Sequence, residues 1–435
     1  MPESKLNCFS MKKLLSILLV ILCFEGIAQE TLLHCGKIIN TKQGKVLSNK
    51  TIVVSGSKIL RVEDGFSSPK QVDVVIDLTN KTVLPGLIDM HVHIEGETSP
   101  SQYLEGFTLN EADVAFNAAE ISKRTLMAGF TSVRDLGGSG VNVSLRNAIA
   151  KGKIMGPRIF TAEKAIGTTG GHADPTNGWR RDLMGDPGPA EGVINSPADA
   201  RKAVRQRYKN GADWIKITAT GGVLSVSKNG HNPQFTQEEV NEIVKTAREY
   251  GMGVAAHAHG IEGMKRAIIA GVATIEHGSL MDRETAVLMK EYGTYLVPTL
   301  SAGRYVAEKA KIKGYYPEII IPKIIEIDAK LRTTFAMVYK EEVNIAFGTD
   351  AGVFPHGENA KEFGYMVETG WSEMFSLQSA TITNAKVLDM EKELGQIAPG
   401  FIADIIAVDD DPTQNIHTME NVVFVMKEGI IYKRL

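Results

Sequence analysis

Two histidines one residue apart close an apolar run in LPGLIDMHVHIEGE, residues 84 to 97. In an extended strand, side chains two apart leave the same face, so His91 and His93 point to one side and one metal ion can reach both imidazoles. Five more residues of ligand type lie in or at the end of other apolar runs: Lys216 in WIKITATG, His257 and His259 in GVAAHAH, His277 in ATIEHGS and Asp350 in NIAFGTD. Five of the ten histidines therefore fall in three short apolar runs, where chance would rather put them in loops. Singly, each has an ordinary explanation: a hydrogen-bonded core histidine, a lysine in a salt bridge, an aspartate capping a helix. As a set sharing one rim, they point to a metal site.

Lys216 is the informative member. An ammonium among histidines and a carboxylate repels cations, so its chemistry has to change. Carboxylation by carbon dioxide turns the amine into a carbamate, whose two oxygens can bridge two metal ions.

Eight short β-rich runs alternate with longer amphipathic segments between residues 85 and 390: GLIDMHVHI, TSVRDLG, RIFTAEKAI, WIKITATG, GVAAHAH, ATIEHGS, TYLVPTL and NIAFGTD. In TQEEVNEIVKTAREYG, Thr236 and Glu239 have the spacing of a capping box, and Gly251 follows the last periodic residue. Alternation of strand and helix eight times over predicts an α/β fold, a parallel (β/α)8 TIM-type barrel in which functional side chains come from the C-terminal ends of the strands. The flanks read instead as period-two hairpins broken by Gly and Asn. Neither flank buries enough by itself, so both chain ends are expected to build one small β sandwich. The expected division is residues 29–84 and 392–435 for the sandwich and 85–391 for the barrel.

PGLIDMHVH, the lysine of WIKITATGG, VAAHAHG, TIEHGS, FGTDAG and the C-terminal GQIAPGFIADI resemble the amidohydrolase superfamily over essentially the whole chain after residue 28. The likeness is to its Xaa-Pro dipeptidase (prolidase) and ochratoxinase-like branch, related to imidazolonepropionase in overall plan. The resemblance implies two divalent ions, zinc in the usual case. His91, His93 and Asp350 would sit on one ion and His257 and His277 on the other, with carboxylated Lys216 and a hydroxide joining them. His257 and His259 leave the same strand face, so periodicity does not choose between them. The family pattern favours His257 as ligand and leaves His259 to orient substrate.

Two ions sharing one water lower its pKa and polarise a carbonyl, and Asp350 is then the catalytic proton shuttle to the leaving nitrogen. The expected reaction is hydrolysis of an amide or peptide bond in a dipeptide of the Xaa-Pro kind or an N-acyl amino acid. Such substrates carry a free carboxylate. His172, beside Gly170 and Gly171 in AIGTTGGHADPTNG, is the candidate to meet it, together with His259 as a second substrate-binding residue. Arg134 in SVRDLGG is expected in an internal ion pair. The polar stretch SVSKNGHNPQFT, residues 225–236, reads as a lid in which His231 is solvated. Alternatives are a cyclic amidase of the dihydroorotase or hydantoinase kind, an imidazolonepropionase-like hydrolase, and a non-catalytic metal-binding exported protein. Single-metal deaminases look alike in having an acid three residues after the fifth-strand histidine, where this chain has Gly260.

The chain has 435 residues, 43% hydrophobic and 23% charged, which suits a globular protein with a large core. A formal charge of −3 leaves no basic excess for a phosphate backbone, so the expected partner is a small-molecule substrate and not nucleic acid. A homo-oligomer is the expected assembly. From Met11, two lysines, an apolar segment from Leu14 to Phe24 and small residues around Gly26 and Ala28 have the layout of a secretory signal peptide over residues 1–28. The expectation is export to the periplasm or medium with no membrane attachment after cleavage. Cys35 would then be the one cysteine left, so no internal disulfide can form.

Overall fold

The computed structural model describes residues 29–70, 73–226 and 230–434. The predicted signal peptide and part of the predicted lid lie outside them. Among the described residues no helix is long and apolar enough to cross a membrane.

The two chain ends meet in one seven-stranded sheet. Its strands are β1 (Glu30–Asn40), β2 (Lys45–Ser55), β3 (Lys58–Asp64), β4 (Val74–Pro85), β14 (Ile405–Val408), β15 (Val422–Lys427) and β16 (Ile430–Lys433), in the order β16-β15-β14-β4-β1-β2-β3. Alternate residues such as Leu33, Cys35, Ile52, Leu78 and Phe424 form a core of their own beneath it. β1 runs parallel to β4 and all other neighbours are antiparallel. The expected sandwich is thus a single continuous sheet rather than two stacked ones. It curls until its β3 edge meets the chain leading into β14, with Ile59 N–H donating to Phe401 O at 2.9 Å and Gly400 N–H to Ile59 O at 2.8 Å. Period-two patterning marks a buried face but is the same for stacked and curled sheets, which differ only in strand twist and pairing.

Between the flanks the fold is mixed α/β. β5 (Leu87–Val92), β6 (Phe130–Asp135) and β7 (Arg158–Thr161) form one parallel sheet, and β10 (Ile215–Thr218), β11 (Val254–Ala258), β12 (Thr274–His277) and β13 (Tyr295–Val297) form another. β8 (Gly167–Thr168) and β9 (Val193–Ile194) are a two-residue pair beside them. Every residue of β5, β6, β10, β11 and β12 is buried, as expected for parallel strands covered on both faces. Isolated parallel bridges join Ile166 to Ile217, Leu296 to Ile345 and Val92 to Ala351. The helix Gln237–Glu249 starts on the predicted capping box, Thr236 accepting from Glu239 N–H while Glu239 accepts from Thr236 N–H.

Seven of the eight predicted strands are present with ends no more than five residues from those expected, and the last, residues 344–350, departs from the expectation. It makes only single bridges, because a side chain does part of the work of a ladder there. The Asn384 amide donates to Ile88 O at 2.7 Å and to Phe347 O at 2.8 Å, while Asp89 accepts from Thr349 Oγ1 at 2.7 Å. Asn384→Ala would remove the side-chain donor from Ile88 O, while Phe347 O keeps Met90 N–H at 3.0 Å, and should cost about 1–3 kcal/mol. A urea-unfolding midpoint unchanged from wild type would show that the amide is not needed there.

Candidate metal and catalytic site

The C-terminal ends of the parallel strands open into a cavity of about 830 Å³. All eight residues singled out above line it: His91, His93, His172, Lys216, His257, His259, His277 and Asp350. β5 supplies His91 and, one residue beyond its end, His93; β10 supplies Lys216; β11 supplies His257 and, just past it, His259; His277 is the last residue of β12. Asp350 follows the irregular run after β13.

His91, His277 and Asp350 have ligand atoms within 4.8 Å of one another. Asp350 Oδ1 stands 3.4 Å from Nε2 of His91 and 3.4 Å from Nε2 of His93, and Lys216 Nζ is 3.4 Å from His91 Nε2. His257 packs its ring 4.6 Å from that of His277, 4.7 Å from that of His259 and 4.5 Å from that of His172. The structure therefore brings both members of the His257/His259 pair to the same place. His172 fits there because residue 222 is glycine: a Cβ on Gly222 would lie 2.3 Å from the imidazole.

The Nδ1 side of four rings is already engaged, whereas His257 contacts Gly221 O through Nε2 at 3.1 Å. His91 Nδ1 contacts Glu276 Oε2 at 2.9 Å, His93 Nδ1 contacts Gly137 O at 2.8 Å, His277 Nδ1 contacts Thr299 Oγ1 at 2.7 Å and His259 Nδ1 contacts Ser279 Oγ at 3.0 Å. For His91 and His93 the partner is an acceptor, so Nδ1 carries the proton and the Nε2 lone pair is left for the cavity, the usual arrangement behind a metal-bound imidazole. Burial holds His91, His257 and His277 well below the ordinary histidine pKa, and the Lys216 charge pushes the same way. Burial also pushes Lys216 down to about 8, against the pull of Glu276 and Asp350, so neutral amine able to take up carbon dioxide is accessible. Asp350 is pushed up to about 6 by burial, opposed by His93 and Lys216.

Asp350 Oδ1 is buried without a hydrogen bond among the described residues. An acceptor oxygen so placed, facing unprotonated imidazole nitrogens, lacks any donor and suits a cation. The donor set, imidazole and carboxylate with a lysine amine in reach, fits zinc-type divalent ions. Two of these residues also depart from ordinary backbone geometry. His277 and Asp350 have φ of +72° and +60°, and Thr299, which holds His277, has +52°. Left-handed φ is costly for such residues and clusters at functional sites.

Sequence reasoning missed Glu276. By strict alternation it and His277 belong on opposite faces, yet the left-handed backbone at His277 lets both serve the site. The internal ion pair expected for Arg134 is present, and its partner is Glu276: Arg134 and Glu276 are fully buried and 2.9 Å apart, with Arg134 Nε donating to Met90 O at 2.8 Å. Its acidic neighbour, Asp135, instead accepts from Ile94 N–H, Asn142 and Thr161. His231 is partly exposed, 3.8 Å from Glu326.

Residues 82–432 match the model of the amidohydrolase family. Ochratoxinase of Aspergillus niger is 31% identical over 426 residues, covering 93% of this chain and 87% of its own. A solved Xaa-Pro dipeptidase with methionine bound in its active site superposes with a TM-score of 0.91 at 52% identity, covering 93% of this chain and 100% of that one. A solved prolidase in complex with N-methylphosphonate-L-proline gives 0.86 at 32% identity, covering 94% and 100%.

Removing Glu276 would strand the Arg134 charge in the interior. Glu276→Ala should therefore destabilise by about 3–5 kcal/mol, and Glu276→Gln, which keeps the shape and one acceptor, by less. Unfolding midpoints of the two variants test this; equal and small losses would contradict it.

Proposed function

Because the chain belongs to the amidohydrolase family, in the branch that includes Xaa-Pro dipeptidase and ochratoxinase, we propose that it is a binuclear metal-dependent enzyme. It would hydrolyse the amide bond of dipeptides, of the Xaa-Pro kind, or of N-acyl amino acids. Family membership makes it a hydrolase acting on amide bonds; the metal centre and the substrate are our reading of the cavity. The observation that carries it is the unsatisfied Asp350 Oδ1 between the Nε2 atoms of His91 and His93, with Lys216 beside them.

The serial parallel pairings support a closed (β/α)8 barrel: β5-β6-β7, then Ile166 to Ile217, β10 to β13, Leu296 to Ile345 and Ala351 back to Val92. We take residues 85–391 as the barrel and 29–84 with 392–435 as the small β domain. Export, with residues 1–28 as leader, belongs to the same reading and rests on the sequence pattern alone.

His91, His93 and Asp350 would hold one cation, His257 and His277 the other, and carboxylated Lys216 both. When bound, such a pair supplies an acidified water and a Lewis acid for the carbonyl. Asp350, beside the Nε2 atoms of His91 and His93, accepts the proton as water attacks and returns it to the departing nitrogen. His172, partly buried, and His259, buried, are held neutral beside His257 and would orient the substrate, His172 at its carboxylate end. The single-metal deaminase pattern has no room here, because a Cβ on Gly260 would lie 1.9 Å from His231 O.

Dialysis against a chelator should abolish hydrolysis and zinc should restore it, with metal content followed by elemental analysis. Lys216→Ala should lose bound metal and activity together. Asp350→Asn should lower kcat by about 10²–10⁴-fold. Metal content and turnover of Lys216→Ala equal to wild type would refute the bridged centre. A panel of Xaa-Pro and other dipeptides, N-acyl amino acids and hydantoins separates peptidase from cyclic amidase.

A further inference from the structure

The cavity holds charged groups that the metal site does not use. Of the five carboxylates lining it, Asp350 belongs to the site and three others are engaged. Glu95 accepts from Ser139 N–H and Asn142 N–H at 2.6 and 2.7 Å, Glu97 pairs with Arg124 at 2.9 Å, and Glu191 accepts from Gly188 N–H at 2.9 Å. The fifth is Asp328, which lines the cavity while itself exposed to solvent, and it makes no hydrogen bond or ion pair among the described residues.

Asp328 lies on the helix Ile321–Lys340, on one stripe with Ile324, Ile327 and Leu331, at the i, i+3, i+4 and i+7 positions that share a helix face. All four line the cavity, the three apolar ones are less than a tenth exposed, and Val306 of the preceding helix extends the apolar wall. An apolar wall with one unpaired carboxylate at its edge is complementary to an apolar side chain flanked by a cation. That is the N-terminal residue of an unblocked peptide, whose ammonium and side chain leave the same carbon. Lys164, the one cavity lysine besides Lys216, follows the third strand of the pairing series, whereas this helix follows the seventh of eight. The carboxylate end of a zwitterion is thereby drawn to the opposite side, leaving the ammonium end toward Asp328.

We propose that the Ile324–Ile327–Asp328–Leu331 stripe reads the N-terminal residue of the substrate, making this site selective for unblocked dipeptides with an apolar first residue over N-acylated ones. This rests on the hydrolase reading above and narrows its substrate class. Asp328 is the specificity-determining residue, because acylation removes the charge it would meet.

The test compares kcat/KM for Leu-Pro and N-acetyl-Leu-Pro on the zinc-loaded full chain. Wild type should favour the free dipeptide by about ten-fold or more, the worth of one charge-assisted hydrogen bond. Asp328→Asn should remove that preference through KM and Asp328→Glu should retain part of it. Equal rates for the two substrates in wild type, or an unchanged ratio in Asp328→Asn, would overturn the assignment and leave the hydrolase reading standing. If neither is turned over, the peptidase reading fails, and calorimetric binding of the same pair decides the stripe. Tighter binding of Leu-Pro that Asp328→Asn abolishes supports it, and equal or absent binding overturns it.

Discussion

A fully buried ion pair underlies the site. Arg134 on β6 meets Glu276 on β12, its Nε reaches the Met90 carbonyl of β5, and its guanidinium lies 4.5 Å over the Trp214 ring. One cation therefore ties together strands from both parallel sheets at the floor of the cavity. Neither charge is tolerable in that interior without the other, and the geometry is held by hydrogen bonds from several sides. The second carboxylate oxygen of Glu276 then sets the His91 ring. What begins as compensation for a buried charge ends as the orientation of a candidate metal ligand.

Burial explains most of the electrostatics above that floor. Desolvation is the first cause of the shifts at His91, His257, His277, Lys216 and Asp350, and in each case it favours the uncharged form. Neutral imidazole and neutral amine are the forms that bind metal or carbon dioxide, so burial leaves the candidate histidines and Lys216 in forms suited to the proposed site. The cost appears in the backbone. His277, Thr299 and Asp350 take left-handed φ at the strand ends, where regular extended geometry would aim their side chains elsewhere.

Much of this was legible in the chain. The pairs His91/His93 and His257/His259 could be placed on one face by period two, and the capping box of Thr236 and Glu239 located a helix start. Eight apolar runs anticipated seven observed strands, and the hairpin pattern of both flanks anticipated their common sheet. Less visible were residues whose role depends on distant partners. No local pattern singled out Glu276, Asn384 or the exposed Asp328. Each acquires its meaning from groups between 37 and 296 positions away, or from a cavity that no local pattern describes.

By itself the sequence determined the kinds of groups available and the strands that carry them, because side-chain periodicity is a local property of the backbone. It also located five histidines, a lysine and an aspartate at the ends of buried runs. Only the tertiary structure decided which of their nitrogens and oxygens face one another, which charges are compensated, and that the two flanking hairpin sets form one curled sheet. Those outcomes depend on contacts between segments far apart in the chain, where burial makes an unpaired polar atom expensive and so selects the partner.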